Sequence, residues 1–369
     1  MNLIYVFPEP LPLPRARGIQ TAHTVVELAR AGVNVTLYHV PAADHPTRHY
    51  GLEAPGHLVL DPLSRSLPWP LRRMHSNRLF MARLAHRAGR RLQEDVVMVR
   101  HLKLASLLLV RFPRTRLVYE AHEVFADTAP SGKTEERRRE ETFVISRATA
   151  VIANSSATAE RLTELYRPAR AVVVIPNGVD WPEIVPEKDW ANPGRHIIYT
   201  GSLFAWKGVA DLVQAAAALS GCRIELVGGD RMQVTQMAGS APTKGAELVF
   251  HAQIPHAAVQ QRLMNSCIAV LPNRADTDSA FTSPIKLFEY MAAGCAIVAS
   301  DLPAIREILS ADEAAWARPG DPAGLAKAIE SLVSNPAKAS EMAHRVRDKA
   351  RQFSWGARAK RLVGLMEGL

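Results

Sequence analysis

Short apolar runs alternate with amphipathic stretches along the whole chain. Residues 3–7 predict a first β-strand, a Pro-rich loop follows at residues 8–14, and a helix over residues 20–31 ends at Gly32. This alternation is typical of βαβ units, which build parallel sheets. The other strands predicted in this half are residues 34–40, 96–100, 116–119, 150–153 and 172–175.

The same pattern restarts after the turn Pro176-Asn177-Gly178. Residues 181–194 contain three prolines without periodicity and are interpreted as a linker. Strands are then predicted at residues 196–199, 224–227, 248–251, 268–271 and 296–299, with helices at 209–219 and 285–293 and a helical tail over 323–369, broken near 353–356.

The predicted fold class is therefore α/β, with two doubly wound parallel-sheet domains of similar size. We expect an N-terminal domain at residues 1–180, a second domain at 181–350, and a C-terminal helix at 351–369 that crosses back to the first. Open parallel sheets bind ligands at the carboxyl ends of their strands, so the expected site is the cleft between the two domains.

Composition excludes several classes of protein. With 369 residues, 47% hydrophobic and 22% charged, the chain has enough apolar residues to fold. No run approaches the roughly 20 apolar residues that span a bilayer, and the first ten residues lack the basic start of a signal peptide. Three cysteines are an odd number without metal-ligand spacing, so a cytoplasmic protein without disulfides is expected.

The positive charge is concentrated in the first half. The net charge is +9; residues 1–180 carry 25 Lys and Arg against 17 Asp and Glu, whereas residues 181–369 carry 20 against 19. Between Arg65 and Arg91 there are eight arginines and no acid, in an amphipathic helical pattern. Such a helix can lie on an anionic membrane as a peripheral contact, the alternative being an ordinary surface helix whose polar side is arginine. No recognition motif for nucleic acid accompanies it, and no nucleic-acid partner is expected.

The segment Thr200-Gly201-Ser202-Leu203-Phe204-Ala205-Trp206-Lys207-Gly208 joins a predicted strand to a predicted helix. Glycine permits close approach of a ligand to the backbone, and a helix N-terminus offers free N–H groups to an anion. Lys207 adds a mobile positive charge, so the loop is a candidate phosphate site. It is not a Walker motif, because Lys207 precedes its glycine and no Ser or Thr follows. The alternative is an ordinary turn with a solvated lysine.

A second segment runs from Phe281 to Gly294 and predicts a helix with a buried apolar face. Thr282 or Ser283 is suited to cap it, and Pro284 fits its first turn. Glu289 then lies among apolar neighbours, and a carboxylate that accepts two hydroxyl hydrogen bonds would bind a ribose. The alternative is that Glu289 pairs with a nearby arginine.

Taken in order, these two segments, Pro176-Asn177-Gly178-Val179-Asp180, Val227-Gly228-Gly229 and residues 297–300 resemble the retaining GT-B glycosyltransferases of family 4. The resemblance implies the GT-B fold and a nucleoside-diphosphate sugar bound by the second half. It assigns Lys207 to the diphosphate and catalysis, Glu289 to the ribose, the backbone of Gly201 and Ser202 to the phosphate, and residues 282–285 (Thr282, Ser283, Pro284, Ile285) to the donor. The nucleotide-sugar is a substrate, so no cofactor and no metal are expected.

The first half resembles the family more loosely. By that resemblance, His122 in Tyr119-Glu120-Ala121-His122-Glu123 points into the cleft beside the transferred sugar, as a second catalytic candidate. Arg17 and Gly18 lie in what looks like the acceptor-side glycine loop. His23, one turn into the following helix, is interpreted as structural.

Two positions depart from the family pattern. Phe281 stands where the family has a glutamate that contacts the donor sugar, so those contacts are expected from backbone amides of residues 282–285 or from Asp276, Asp278 or Ser279. Ser202 stands where an arginine commonly follows the glycine, which leaves Lys207 as the main cation of that loop.

The expected activity is transfer of a hexose-type sugar, with retention, to a hydroxyl of a sugar, a lipid-linked glycan or a small molecule, in glycan or glycoconjugate synthesis. A nucleotide-sugar epimerase of the same architecture and a non-catalytic partner protein remain alternatives, the latter favoured by Phe281. A nicotinamide dehydrogenase is disfavoured because residues 7–18 lack the dinucleotide-binding glycine motif.

Overall fold

The structure, a computed structural model, describes residues 1–13, 16–67, 76–130, 132–275 and 285–369. It contains two compact units, one of Met1–Gly178 with Trp355–Leu369 and the other of Val179–Ser354. These boundaries differ by two residues from the expected break at 180 and by four from that at 350.

The first unit is built on a seven-stranded sheet in the order β3-β2-β1-β4-β5-β6-β7, and every pairing is parallel. All four residues of β4 and of β6 are buried, as expected for strands covered on both faces. The strands are β1 Asn2–Leu11, β2 Asn34–Pro41, β3 Leu58–Pro62, β4 Val96–Val99, β5 Arg116–Ala121, β6 Ala150–Ala153 and β7 Val173–Val174.

Helices connect these strands in the pattern that the sequence predicted. They are α1 Ala16–Arg30, α2 Asn77–Ala88, α3 Arg91–Glu94, α4 Leu102–Arg111, α5 Phe125–Thr128, α6 Thr134–Arg147 and α7 Ser156–Tyr166.

The sequence analysis expected a loop at the Pro-rich residues 8–14, but part of this segment is strand. β1 continues to Leu11, and its register with β2 shifts between Phe7 and Pro10. Because proline cannot donate to a ladder, it is tolerated in a strand at such an irregularity.

The basic stretch between Arg65 and Arg91 does not form one helix. Residues 68–75 lie outside the described residues. Helix α2 begins after its cap Ser76 and ends before Gly89, whose φ is +52°. Two arginines of α2 contact other parts of the protein: Arg87 pairs with Asp61 at 2.8 Å, and Arg83 donates to the Ser64 carbonyl at 2.5 Å.

The second unit carries a six-stranded parallel sheet in the order β10-β9-β8-β11-β12-β13. Its strands are β8 Ile197–Thr200, β9 Arg223–Val227, β10 Glu247–His251, β11 Ile268–Leu271, β12 Ala296–Ser300 and β13 Ala315–Ala317. Its helices are α8 Val209–Ala215, α9 Arg231–Gly239, α10 His256–Met264, α11 Ile285–Ala292, α12 Pro303–Arg306, α13 Pro322–Val333 and α14 Pro336–Ala350. The prediction of two α/β domains with parallel sheets is confirmed.

Helix α15, Trp355–Glu367, belongs to the first unit although it follows the second in sequence. Trp355 stacks on His23 of α1 with ring centroids 4.9 Å apart, which gives His23 the structural role expected of it. Arg358 is 2% exposed and pairs with Glu120, which is 1% exposed. It also donates to the carbonyl oxygens of Ile175 and Pro176, at 2.7 and 2.6 Å.

No helix among the described residues combines the length and apolar character that a membrane crossing requires.

Because the ion pair between Arg358 of α15 and Glu120 is buried, removing one partner should strongly destabilise the first unit. Arg358→Leu leaves the Glu120 carboxylate buried without its guanidinium, which should lower the free energy of unfolding of the first unit by about 3–5 kcal/mol. Urea denaturation followed by circular dichroism measures the change. Arg361→Leu, at an exposed position of the same helix, is the control. Equal stability of the two variants would contradict the prediction.

Candidate functional site

The loop after β8 is held in place by two tyrosines. The backbone N–H of Thr200 donates to the Tyr290 hydroxyl of α11 at 2.8 Å, and the Tyr199 hydroxyl donates to the Ser202 carbonyl at 2.7 Å. Both tyrosines are buried in the core of the second unit. The end of β8, the Gly201 loop and the start of α11 therefore form one local structure.

Lys286, in the first turn of α11, lies against Gly201. A Cβ atom on Gly201 would overlap the Nζ and Cε atoms of Lys286, and Gly201 has a φ of +128°, a conformation that favours glycine. Glycine at this position thus lets a lysine ammonium reach the loop backbone. Lys286 is half-buried, and its Nζ lies 3.3 Å from the Tyr199 hydroxyl and 4.8 Å from the centroid of that ring.

Burial lowers the pKa of Lys286 to about 8, while nearby Glu289 opposes the shift. Within the described residues Lys286 makes no ion pair, so a positive charge at Gly201 lacks a counter-ion there. The sequence analysis missed this residue. Its signal was a lysine three residues before Glu289, in the first turn of a helix whose other positions are mostly apolar.

Glu289 lies on α11, one turn after Lys286, with its side chain 14% exposed. Its Oε1 atom lies 2.9 Å from Nε2 of His256 on α10, and not beside an arginine as the alternative for Glu289 supposed. The hydrogen bond with Glu289 raises the pKa of His256, against the effect of burial. Within the described residues, Oε2 of Glu289 makes no hydrogen bond and remains available.

Lys207 occupies the same loop as Gly201 and Ser202, at the end of a short 3-10 helix, Ala205–Lys207. Its Nζ lies 3.5 Å from the centroid of the Trp206 ring. Ile285 is the first residue of α11. The predicted donor residues Thr282, Ser283 and Pro284 lie outside the described residues, as do Asp276, Asp278, Ser279 and Phe281.

In the first unit, Glu120 at the end of β5 is the centre of a buried polar network. Besides Arg358, it accepts hydrogen bonds from the Tyr5 hydroxyl at 3.2 Å and from Gln20 Nε2 at 2.7 Å. Gln20 accepts in turn from Arg100 at 2.6 Å. Burial by itself raises the pKa of Glu120, but the charges of Arg358 and Arg100 and the hydrogen bond with His122 outweigh it and hold the pKa well below its usual range.

His122 lies at the edge of this network, 15% exposed, with Nε2 at 3.1 Å from Glu120 Oε1 and 3.2 Å from Gln20 Nε2. Nε2 donates to Glu120 when protonated and accepts from Gln20 when not. Burial and the Arg100 charge lower the pKa of His122 to about 4, against the opposing effect of Glu120. The imidazole is therefore neutral at physiological pH.

Arg17 and His122 line one cavity of about 480 Å³ at the carboxyl ends of the first unit's strands. Arg17 pairs with Glu9 at 2.5 Å. Both Arg17 and Gly18 lie in the first turn of α1 and not in a loop, so the expected glycine loop is wrong at these two residues. Gly18 is buried against Leu13 and Tyr50, where a Cβ atom would overlap both, so packing explains the lack of a side chain there. Its role toward an acceptor stays a prediction.

Each half of the chain matches a model of a known protein family. A family model described as "Glycosyltransferase Family 4" matches residues 18–181, and one described as "Glycosyl transferases group 1" matches residues 194–335. The chain belongs to the family 4, group 1 glycosyltransferases. The resemblance on which the sequence analysis rested is confirmed.

Curated relatives of this family 4 chain match at low identity. The glycogen synthase of Mycobacterium tuberculosis is 26% identical over 228 residues, 58% of this chain and 53% of the relative. The phosphatidyl-myo-inositol mannosyltransferase of Mycolicibacterium smegmatis is 27% identical over 205 residues, 53% of this chain and 51% of the relative. The chain thus matches about half the length of each.

Solved structures show that this family 4 chain has the GT-B fold. The crystal structure of Anabaena HepE in complex with UDP superposes with a TM-score of 0.72 at 16% identity, covering 100% of both chains.

The pKa of His256 should lie above the usual value for histidine, and the pKa of His122 should lie below it. At pH 5.5 we expect His256 to be protonated, because Glu289 raises its pKa, and His122 to be neutral, because its pKa lies near 4. Two-dimensional NMR of ring-labelled histidines, assigned with His122→Gln and His256→Gln, measures both. Protonation of His122 before His256 on acidification would contradict the described electrostatics.

Proposed function

We propose that this chain transfers a hexose from a nucleoside-diphosphate sugar to an acceptor hydroxyl with retention at the anomeric carbon. One arrangement carries the proposal: a glycine loop with Lys286 against its backbone, followed one turn later by a Glu289 oxygen that has no partner among the described residues. Cations and closely approaching backbone N–H groups suit a diphosphate, and a carboxylate can accept hydrogen bonds from ribose hydroxyls.

The diphosphate would bind between the Gly201 loop and the start of α11. Lys286 supplies a half-buried positive charge, and Lys207 on the same loop supplies a second one. The first N–H groups of α11 add the positive end of a helix dipole. Lys286 thereby makes up for Ser202, which stands where the family commonly has an arginine.

The ribose would bind to Glu289. His256 occupies Oε1 and holds the carboxylate in one orientation, while Oε2 accepts from a ribose hydroxyl.

Negative charge develops on the leaving diphosphate as the bond to the sugar breaks. Lys286 and Lys207 would stabilise it, and removing one such fixed donor typically costs roughly 2.7–4 kcal/mol of transition-state stabilisation. Retention without an evident nucleophile fits attack on the face that the diphosphate leaves, with a phosphate oxygen taking the acceptor proton. His122, neutral and hydrogen-bonded, would position the sugar and not act as the main base. The mechanism requires no resident cofactor.

One solved structure supports uridine diphosphate as the nucleotide, because HepE was crystallised with UDP. The matching curated relatives, a glycogen synthase and a phosphatidyl-myo-inositol mannosyltransferase, support sugar transfer by their names but specify no nucleotide. UDP is therefore the first probe.

Membrane contact would use the exposed part of the basic stretch. Arg78 and His86 are exposed on α2, whereas Arg83 and Arg87 already contact the protein and Arg90 pairs with Glu94 at 3.3 Å. An anionic lipid surface would meet the exposed residues.

Loss of the Lys286 charge should weaken donor binding and alter its pH dependence. We expect Lys286→Met to reduce UDP affinity by about tenfold or more, since hydrogen bonds to charged groups contribute about 1.5–3 kcal/mol. Because a neutral lysine cannot pair with the diphosphate, wild-type affinity should fall as the pH rises through 8, and the variant should lose that dependence. Isothermal titration calorimetry from pH 7 to 9.5 measures both.

Lys327→Met, at an exposed lysine of α13, is the matched control and should bind UDP like the wild type. UDP affinity unchanged by Lys286→Met at every pH would remove Lys286 from the donor site. No UDP binding by the wild type would contradict the donor assignment as a whole.

Measurements of turnover distinguish a glycosyltransferase from the two alternatives, an epimerase and a non-catalytic partner protein. Lys207→Ala should abolish sugar transfer while the circular dichroism spectrum stays unchanged, because the leaving group loses a cation. Proton NMR of reactions with UDP-glucose, with and without candidate acceptors, identifies the product and its anomeric configuration. An epimerised donor without any acceptor would indicate an epimerase, and tight UDP binding with no turnover on any acceptor would favour a non-catalytic partner protein.

A further inference from the structure

The cavity beside His122 has a strong excess of positive charge. Its volume of about 480 Å³ fits a sugar-sized ligand, and five of its lining residues are cations. They are Arg17, Arg65, Arg100, Lys103 and Arg137.

The two acids that line the cavity already have partners. Glu9 pairs with Arg17 at 2.5 Å, and Glu123 accepts from the Thr128 hydroxyl at 2.8 Å. Arg137 pairs with Glu140 outside the lining, at 2.8 Å.

The other three cations have no carboxylate partner among the residues that the structure describes. Arg65 donates to the Pro8 carbonyl at 3.2 Å, and Arg100 donates to the Gln20 amide oxygen at 2.6 Å. Lys103 makes neither a hydrogen bond nor an ion pair within those residues. Their charge is therefore available to a ligand.

Helix geometry adds to this charge. Asn77 is the first residue of α2, and Leu102 and Lys103 are the first two of α4, and all three line the cavity. Both helices, 12 and 10 residues long, thus direct their positive ends at it.

A neighbouring cavity of about 490 Å³ shares Arg65, Asn77 and Lys103 and adds Arg78. The basic surface therefore continues from His122 toward the exposed side of α2.

The positive charge of the cavity also affects the pKa values of its two histidines, His101 and His122. Burial lowers the pKa of His101, and Arg137 and Arg65 lower it further against the effect of Glu9. Arg100 acts in the same direction on His122. Positive potential in the cavity is thus only partly compensated.

We propose that this cavity binds a phosphate group carried by the acceptor, so that the acceptor's sugar or alcohol portion lies beside His122. The proposal rests on the transferase function proposed above and names its acceptor class. A single carboxylate would be satisfied by one bidentate arginine, whereas two helix ends and three cations without a carboxylate partner in the described part of the unit suit the greater charge of a phosphate monoester or diphosphate. The phosphate could belong to a membrane lipid or to a soluble sugar phosphate.

Binding of inorganic pyrophosphate in the presence of saturating UDP tests the cavity, because UDP fills the donor site. By isothermal titration calorimetry, we expect the wild type to bind pyrophosphate at least tenfold more tightly than malonate, and Arg65→Gln with Lys103→Ala to lose at least tenfold in pyrophosphate affinity. The control, Arg111→Gln with Arg114→Ala, removes the same charge from exposed positions of the same unit that lie outside the basic stretch, and should bind like the wild type.

Two lipid compositions distinguish the sources of the phosphate. Sedimentation with phosphatidylcholine vesicles, with and without phosphatidylglycerol, is measured for the same three proteins. Retention of the wild type and the control by phosphatidylglycerol, but not of the cavity variant, would support a lipid-borne phosphate. Pyrophosphate binding without such retention would support a soluble one.

Equal pyrophosphate affinity of the cavity variant and the control, or equal affinity for malonate and pyrophosphate, would overturn the proposal. So would the absence of both pyrophosphate binding and cavity-dependent vesicle binding. UDP affinity is measured separately on each protein and should not differ between them. Failure of the wild type to bind UDP would contradict the donor site, whereas pyrophosphate titrated without UDP would still test the cavity through the same variants.

Discussion

A parallel strand covered on both faces leaves only its ends for polar chemistry. In this chain all residues of β4, β6, β8 and β11 are buried, so charged side chains gather where the strands stop. In the first unit Glu120 lies at the end of β5 and His122 follows that strand; in the second, Gly201 follows β8. Both candidate sites are consequences of that constraint.

The two units differ in how the buried charge at the end of a strand is balanced. In the first, the buried Glu120 carboxylate is balanced by Arg358, which arrives from the far end of the chain on α15. That pair fixes Gln20 and, through it, the surroundings of His122. In the second, Lys286 lies beside Gly201 without an ion-pair partner among the described residues, and burial lowers its pKa. The first arrangement stabilises a structure, whereas the second keeps a charge ready for an anion.

Most strands and helices could be predicted from the sequence because each depends on the apolar pattern of its own residues. Periodicity located most strands within one or two residues, and motif order pointed to the family. The missed strands, β3 and β13, lie at the edges of their sheets, where partly exposed residues weaken the apolar pattern. Pairings between distant residues gave no such signal. Glu120 and Arg358 are 238 residues apart, and Glu289 and His256 are 33 apart. Lys286 became visible only when packing placed it against Gly201.

Hydrogen exchange with and without UDP tests the central claim, that the second unit holds the donor between the Gly201 loop and α11. The account predicts slower exchange of backbone amides in residues 201–208 and 285–290 when UDP is bound, with little change in the first unit. Protection confined to residues 1–178, or no protection at either of the two segments at saturating UDP, would contradict it.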